Sequence, residues 1–306
     1  MVVVTSIARR IPLRAGRAMG RALGAFAWHA LRRERKKALA HIAIAFPEWS
    51  EEQRRRTIRA MMQHLGMSLF EIGWLPNLTP ANRHRTTTCE GLDRVMEVVD
   101  SGGGVIIFSG HCGNWEWLSY TVGSYGRPSV VMQRERSESS ELNRWITELR
   151  LRSGFRTIDR GSPSSAREML NAVRRGGILG FVVDQNIRSE GVRVPFFGKP
   201  ALTPIGPAKF AIRTESYVTI GFIERGADGM QHVRFTEPVQ CKRGDDPVAL
   251  TAQVTKAIEE QIRRVPEQWV WFHPRWRERP EWDITDGEPP RSATRRAESD
   301  GSTQTP

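Results

Sequence analysis

The chain has 306 residues and a formal net charge of +12, with 39% hydrophobic and 26% charged residues. This balance predicts a globular protein with a sizeable core and argues against a mainly disordered chain. The three cysteines, Cys89, Cys112 and Cys241, are too far apart to indicate a disulfide framework or a zinc site, and we expect neither a metal nor another cofactor.

The basic charge favours acidic partners, which include nucleic acid, anionic lipid headgroups, phosphorylated substrates and an acidic carrier protein. Arginines interrupt the start of the chain, so no secretory signal is expected, and we predict a reducing, cytosolic environment. Nowhere does an apolar run reach the roughly 18 residues that a membrane-spanning helix needs.

Residues 1–34 are predicted to form an amphipathic helix that associates with a membrane. Helical spacing places Arg10, Arg14, Arg17 and Arg21 in one narrow strip. The opposite side is apolar and carries Ala15, Met19, Ala22, Leu23, Phe26 and Ala30. Such a helix can lie in a bilayer interface with its arginines toward anionic headgroups. The alternative is a helix that packs on the domain and exposes a solvated basic face.

The remainder is predicted to form one α/β domain over residues 35–283, followed by a disordered tail over 284–306. A helix is predicted over 50–75, with Ser50 as its N-cap. Short apolar runs rich in valine and isoleucine then alternate with helical segments, which predicts a largely parallel central sheet flanked by helices. The predicted strands are 105–108, 130–132, 178–183, 217–223 and 230–235. The predicted later helices are 141–151, 166–174 and 247–263.

The segment from Val105 to Glu116 is the strongest candidate for a chemical site. It reads as a buried strand, a glycine-containing turn with His111, and the start of a helix. In open α/β sheets, ligands bind outside the carboxyl ends of the strands, where His111 is predicted to lie. Three other histidines also precede a glutamate by five positions, namely His29, His232 and His273. Their contexts differ, because only His111 follows a strand and a glycine turn.

The motif from His111 to Glu116 reads His-Cys-Gly-Asn-Trp-Glu, and further blocks follow it in the chain. These blocks are Gln133-Arg134 with Asn143, Asp184-Gln185-Asn186, Val194 to Gly198, Thr203 to Gly206, and Glu267 to Trp276. In this order they resemble the lysophospholipid acyltransferase superfamily, and in particular its bacterial lipid A late acyltransferase branch. The resemblance extends over roughly Arg35 to Pro280. Where family members often begin with a membrane-spanning anchor, this chain shows an amphipathic helix.

The resemblance implies an enzyme that transfers a fatty acyl chain to a hydroxyl of a glycolipid such as a lipid A precursor. The donor would be acyl carrier protein or CoA, and the enzyme would be peripheral to the cytoplasmic face of the bacterial inner membrane. His111 is expected to act as general base, because imidazole can take a proton from a hydroxyl near neutral pH. Glu116 is expected beside it, to hold the ring tautomer and stabilise the imidazolium. The alternative is a structural histidine capped by Glu116.

The resemblance also implies substrate-binding roles for several other residues. Asn114 and Trp115 belong to the signature itself. Asp184 ends a predicted strand at the carboxyl edge of the sheet, and by the resemblance it belongs to the site together with Gln185; the alternative is that they are turn residues. Arg134 and Arg136 are expected to bind acidic headgroups, since arginine forks suit phosphate, or else to form a solvated charge run. Phe197 and Gly198 are expected to line an acyl chain, or to belong to the core.

Three other functions remain open on the sequence alone. The first is an acyltransferase for phosphatidylinositol mannosides or another phospholipid, with acyl-CoA as donor. The second is a catalytically inactive relative that only binds membranes, against which the intact His111 and Glu116 argue. The third is a basic nucleic-acid-binding protein. Because the sequence has no zinc-finger spacing, no aromatic RNA-binding motif and no basic heptads, we expect no nucleic-acid partner.

Overall fold

A computed structural model of the protein describes residues 8–127, 129–133, 141–152, 154–159, 163–186 and 189–285. The helices are α1 (Leu13–Ala30), α2 (Arg32–Ala45), α3 (Glu51–Trp74), α4 (Leu92–Asp100), α5 (Trp115–Gly123), α6 (Glu141–Arg152), α7 (Ser165–Arg174), α8 (Gly206–Thr214) and α9 (Pro247–Arg264). The strands are β1 (Thr87–Glu90), β2 (Val105–Ser109), β3 (Ser129–Gln133), β4 (Phe155–Asp159), β5 (Ile178–Val182), β6 (Gly191–Phe196), β7 (Lys199–Pro204), β8 (Tyr217–Arg225), β9 (Gln231–Phe235) and β10 (Val239–Gln240).

The central sheet has the strand order β1-β9-β8-β2-β5-β3-β4, and β10 pairs with β8. The strands from β8 to β4 in this order are parallel to one another. At the other end, β9 is antiparallel to β8. The prediction of a largely parallel sheet flanked by helices is therefore confirmed, as is the late strand at 231–235.

Alternate residues of β2 face opposite sides of this sheet, as the two-residue period of a strand requires. Ile106 and Phe108 belong to one buried cluster, which also contains residues of α9. Val105 and Ile107 belong to another, which contains residues of α4 and α5. Because helices cover both faces, β2 is apolar along nearly its whole length, and this pattern made the strand recognisable in the sequence.

The strands β1, β4, β6 and β7 were not predicted from the sequence. In β4, Phe155 and Ile158 are buried, Arg156 is exposed and Thr157 is half-buried, and three of the four residues of β1 are exposed. Neither strand therefore has the continuous apolar run by which the other strands were found. The strands β6 and β7 form a separate two-stranded hairpin outside the central sheet. Its two-residue turn is Phe197-Gly198, and both residues have positive φ, of 52° and 68°, as a type I′ turn requires.

The helix α1 packs so closely against α3 that the contact requires glycine residues. Gly16, Gly20 and Gly24 are the small residues on its buried face, and Gly66 lies opposite them on α3. A Cβ atom added to Gly20 would lie 2.5 Å from the carbonyl oxygen of Gly66. The backbones therefore meet directly, and any side chain at these positions would force the two helices apart.

The predicted apolar side of α1 faces away from the protein. Its large members Met19, Leu23 and Phe26 are 57%, 51% and 68% exposed. The smaller ones, Ala15, Ala22 and Ala30, are also exposed. We call Met19, Leu23 and Phe26 the apolar ridge of α1. The helix thus packs on the domain and at the same time presents an apolar surface. Among the described helices, none is long and apolar enough to cross a bilayer.

The boundaries proposed at residues 34 and 283 remain predictions, and almost all of the predicted tail lies outside the described residues.

Candidate active site

The catalytic candidate His111 follows the carboxyl end of β2 through a tight turn. Gly113 in this turn has a φ of +59°, and a Cβ atom there would lie 2.4 Å from the carbonyl oxygen of Ile223. Asn114 then begins α5, because its side-chain oxygen accepts the hydrogen bond of the Trp117 amide at 3.1 Å. The order of strand, turn and helix is the one predicted from the sequence.

Asp184 is the carboxylate that contacts His111. The strands β2 and β5 are parallel neighbours with Ser109 opposite Val182, so the residues that follow them meet at one edge of the sheet. One oxygen of Asp184 lies 2.6 Å from Nδ1 of His111, and the other accepts the main-chain amide of His111 at 2.7 Å. The indole nitrogen of Trp269 also donates to Asp184, at 2.6 Å.

These contacts fix the charge of Asp184 and the tautomer of the imidazole. Burial raises the pKa of Asp184, but the charge of His111 and the hydrogen bonds from His111 and Trp269 outweigh it and lower the pKa to about 2. An ionised carboxylate can only accept hydrogen bonds, so Nδ1 of His111 carries the hydrogen. When the ring is neutral, Nε2 is then the nitrogen with a lone pair for a substrate proton.

Glu116 is buried and forms a two-pronged ion pair with Arg150 of α6. The distances are 2.8 Å to Nε and 2.5 Å to Nη2 of Arg150. A contact between Glu116 and His111 is not among the interactions of the described residues, which pair His111 with Asp184. The catalytic role of Glu116 predicted from the sequence therefore remains a prediction.

The other members of the signature lie close to His111. The ring of Trp115 is half-buried and meets the His111 ring edge to face, with centroids 5.0 Å apart. Asn114 is buried, and its side chain donates to Glu71 of α3 at 2.9 Å. Gln185 is half-buried beside Asp184. The structure thus brings Asp184 and Trp115 to His111, while substrate binding by any of these residues remains a prediction.

Phe197 and Gly198 lie at the tip of the hairpin, in the turn between β6 and β7. Phe197 is buried among aromatic rings and packs against Phe46, Trp271 and Trp276. Phe197, Phe46 and Trp271 belong to the larger core cluster, and Trp276 packs against it. This agrees with the alternative that Phe197 is a core residue. Gly198 is exposed. Arg134 and Arg136 lie outside the described residues.

The segment 269–275 contributes two groups to which the sequence analysis gave no role. One is Trp269, which donates to Asp184. The other is His273, whose Nε2 accepts the main-chain amide of Asn186 at 2.8 Å. Burial lowers the pKa of His273 to about 4, against the attraction of Asp184, so its imidazole is neutral near pH 7. The sequence feature that marked this segment was the aromatic and basic composition of 269–276. Composition does not indicate which strand a segment will lie beside, so the contacts with Asp184 and Asn186 could not be predicted from it.

A small apolar pocket lies behind the two strand ends. Phe108 and Val183 line it from β2 and the end of β5, and Ala208 and Leu250 close it from α8 and α9. Phe108 is three positions before His111, and Val183 immediately precedes Asp184. The pocket therefore adjoins the segment that carries the polar groups.

The chain is similar to known proteins over most of its length. The model of the family described as bacterial lipid A biosynthesis acyltransferase matches residues 1–278. The chain is 26% identical to a lipid A biosynthesis palmitoleoyltransferase of Escherichia coli over 268 residues, which cover 86% of this chain and 85% of the relative. It is also 26% identical to a lipid A biosynthesis lauroyltransferase of the same organism, with the same coverage. A phosphatidylinositol mannoside acyltransferase of Mycobacterium tuberculosis is 27% identical over 71% of this chain and 69% of its own length.

Proposed function

Because the chain belongs to the family of bacterial lipid A biosynthesis acyltransferases, we propose that it transfers a fatty acyl chain to a hydroxyl of a glycolipid such as a lipid A precursor. Acyl carrier protein or CoA supplies the acyl chain as a thioester. The observation that carries this proposal is the contact of His111 with Asp184 at the carboxyl edge of the parallel sheet. It leaves Nε2 of His111 as the base for the acceptor hydroxyl.

In the proposed reaction the hydroxyl oxygen attacks the thioester carbon while Nε2 of His111 takes the hydroxyl proton. Asp184 stabilises the imidazolium that forms and keeps the ring oriented. When the tetrahedral intermediate collapses, the carbon–sulfur bond breaks and the imidazolium returns the proton to the departing sulfur. The products are an ester and the free thiol of the carrier, and His111 is again neutral.

We assign Glu116 to a supporting role in this scheme. Its ion pair with Arg150 joins the first turn of α5 to α6, so it holds the helix that follows the His111 turn. This role differs from direct contact with the imidazole, and substitutions distinguish the two.

The apolar ridge of α1 supports attachment at a membrane surface. Three exposed large apolar side chains on one helix are typical of a segment that lies in the bilayer interface. The basic cluster 32–37 follows directly and favours anionic lipid. We therefore propose that the protein is peripheral on the cytoplasmic face of the inner membrane, where both candidate donors and a membrane-bound acceptor meet.

A second candidate function has phosphatidylinositol mannoside as the acceptor. The relative from Mycobacterium tuberculosis carries this name, and its identity to the chain, 27%, is close to the 26% of the lipid A enzymes, although over a smaller share of the chain. The same histidine and carboxylate would serve both reactions, so the choice depends on the acceptor-binding surface.

One assay tests both proposals. The purified full chain is incubated with a lipid A precursor or with phosphatidylinositol mannoside, and with labelled acyl carrier protein or labelled acyl-CoA, and the products are resolved by mass spectrometry. We expect ester formation on one acceptor, and a rate lower by about 10²- to 10⁴-fold with His111→Ala, since a general base contributes this much to the rate. Transfer by His111→Ala at the wild-type rate would exclude the proposed mechanism, and no product with any combination would exclude the proposed acceptors.

A further inference from the structure

A completely buried carboxylate outside the reacting groups joins the catalytic turn to the surface helix α1. Glu71 of α3 has a side chain with no exposed surface. Its two oxygens accept five hydrogen bonds, two of them from Arg225 of β8, at 2.9 Å from Nε and 2.6 Å from Nη2. The others come from Arg17, Asn114 and Gln231.

Two links lead from this carboxylate to the turn that holds His111. Asn114 donates to Glu71 and at the same time caps α5, three positions after His111. The main-chain amide of Arg225 donates to the side chain of Gln268 at 2.8 Å, and its carbonyl accepts from the same side chain at 3.0 Å. The carbonyl of Gln268 in turn accepts the amide of Gly113 at 2.8 Å. Asn114 is thus held by Glu71 directly, and Gly113 is held by Gln268, which bonds the residue whose guanidinium binds Glu71.

A third link leads to α1. Nε of Arg17 donates to Glu71 at 2.6 Å, and Nη1 of Arg17 donates to the carbonyl of Gly229 at 2.5 Å. The Arg17 side chain is only 12% exposed, whereas Arg14, one turn earlier on the same helix, is exposed. Arg17 belongs to the strip of arginines that the sequence assigned to the membrane, yet its guanidinium points into the protein.

The charges of Glu71, Arg17 and Arg225 indicate which of these residues can be substituted with the smaller effect on the fold. Burial raises the pKa of Glu71, but the guanidinium groups of Arg225 and Arg17 outweigh it and hold the pKa below its usual range, so the carboxylate is ionised. Substitution of Glu71 would leave the guanidinium groups of Arg17 and Arg225 without this carboxylate, so we expect it to destabilise the fold strongly. Removing Arg17 leaves the carboxylate with Arg225 and is the milder change.

We propose that Glu71 is a positioning residue for acyl transfer, and that Arg17 makes the geometry of the His111 turn depend on how α1 is seated. The inference rests on the proposed function for its kinetic consequence. In this proposal α1 has two roles. It carries the apolar ridge, and hydrogen bonds through Arg17, Glu71 and Asn114 connect it to the N-cap of α5. A displacement of α1 would then change the geometry of the turn that holds His111.

The experiment compares Arg17→Met with Arg14→Met in the full chain, on an acceptor dispersed in detergent. Both variants lose one charge from the same helix. Because a displacement of the order of 1 Å at a reacting group costs up to about 10²-fold in rate, we expect Arg17→Met to lower kcat about 10- to 10²-fold. Its KM should change by less than about twofold, since the substrate contacts remain. Arg14→Met should keep kcat, and Arg17→Lys should recover part of the loss.

Hydrogen exchange supplies a second measurement that does not depend on activity. We expect Arg17→Met to raise deuterium uptake at residues 110–118 and in α1, with the sheet strands unchanged. Equal kcat in Arg17→Met and Arg14→Met would overturn the proposal, and so would an even rise in uptake over the whole chain. If wild-type protein transfers no acyl chain, the proposed function fails, and uptake at residues 110–118 still decides whether α1 is coupled to the turn.

Discussion

At the scale of single residues, Asp184 and Glu116 both lie near the His111 turn but have different partners. Asp184 accepts from the imidazole, and Glu116 accepts from Arg150. In the proposed mechanism, Asp184 is therefore the carboxylate that stabilises the imidazolium. The ion pair of Glu116 instead joins α5, the helix that follows the turn, to α6.

Substitution of the two carboxylates by amides separates these roles. We expect Asp184→Asn to lower kcat by about 10²- to 10⁴-fold, because the amide no longer stabilises the imidazolium. Combined with His111→Ala it should cost scarcely more than either change alone, since the two groups act as a unit. Glu116→Gln should mainly lower the Tm, since it breaks a buried ion pair. A larger loss of kcat in Glu116→Gln than in Asp184→Asn would instead make Glu116 the partner of His111.

At the scale of elements, the contact between α1 and α3 depends on glycine. We expect Gly20→Ala to destabilise the protein by about 1–3 kcal/mol, because its Cβ atom would lie 2.5 Å from a backbone oxygen of α3. Gly206→Ala is the matched control, because a Cβ atom there meets nothing within 4 Å. Urea unfolding of the two variants measures the difference. Equal stability would mean that α1 does not pack on α3 as described.

The outer side of the same helix is expected to bind lipid. Replacing Met19, Leu23 and Phe26 together by serine should weaken binding to anionic vesicles without lowering the Tm, since all three side chains are exposed. Binding of the wild-type protein should also weaken with salt, because headgroup attraction is screened. Sedimentation with vesicles measures both effects. Replacing exposed Leu151 by serine is the control, and a triple variant that sediments like this control would argue against the ridge as the membrane contact.

At the scale of the whole molecule, two half-buried histidines predict how stability depends on pH. Burial and the charge of Arg225 lower the pKa of His64 from 6.5 to about 3. Below pH 6.5 the unfolded chain therefore binds a proton that the folded protein excludes. The contribution of neutral His64 to the free energy of unfolding is fully present above about pH 6.5, and it is lost as the pH falls toward 3. From pH 7.5 to 5, His64 alone should cost about 2 kcal/mol.

Thermal unfolding between pH 7.5 and 5 checks this expectation. His64→Gln should lose less stability over this range than the wild-type protein, while His84→Gln, at an exposed position, should follow the wild type. His273, with a pKa of about 4, contributes in the same direction and should preserve part of the slope in His64→Gln. An identical slope in all three proteins would contradict the assignment to His64.

The sequence by itself determined the elements whose signals are local. Continuous apolar runs identified β2 and β5 because both lie between covering helices, and Ser50, predicted as an N-cap, does cap α3 in the structure. The glycine turn after β2 identified His111 as the site. The resemblance to the lipid A acyltransferases, which the family match confirms, also came from local motifs.

Only the tertiary structure decided which groups meet. Asp184 reaches His111 across 73 positions of the chain because β2 and β5 are parallel neighbours in a fixed register, and strand register is not encoded in either segment alone. Likewise, helical spacing placed Arg17 among its neighbouring arginines, but the glycine face of α1 brings the helix so close to α3 that Arg17 reaches a buried carboxylate. Periodicity describes one element at a time, whereas the partner of a side chain depends on how separate elements pack.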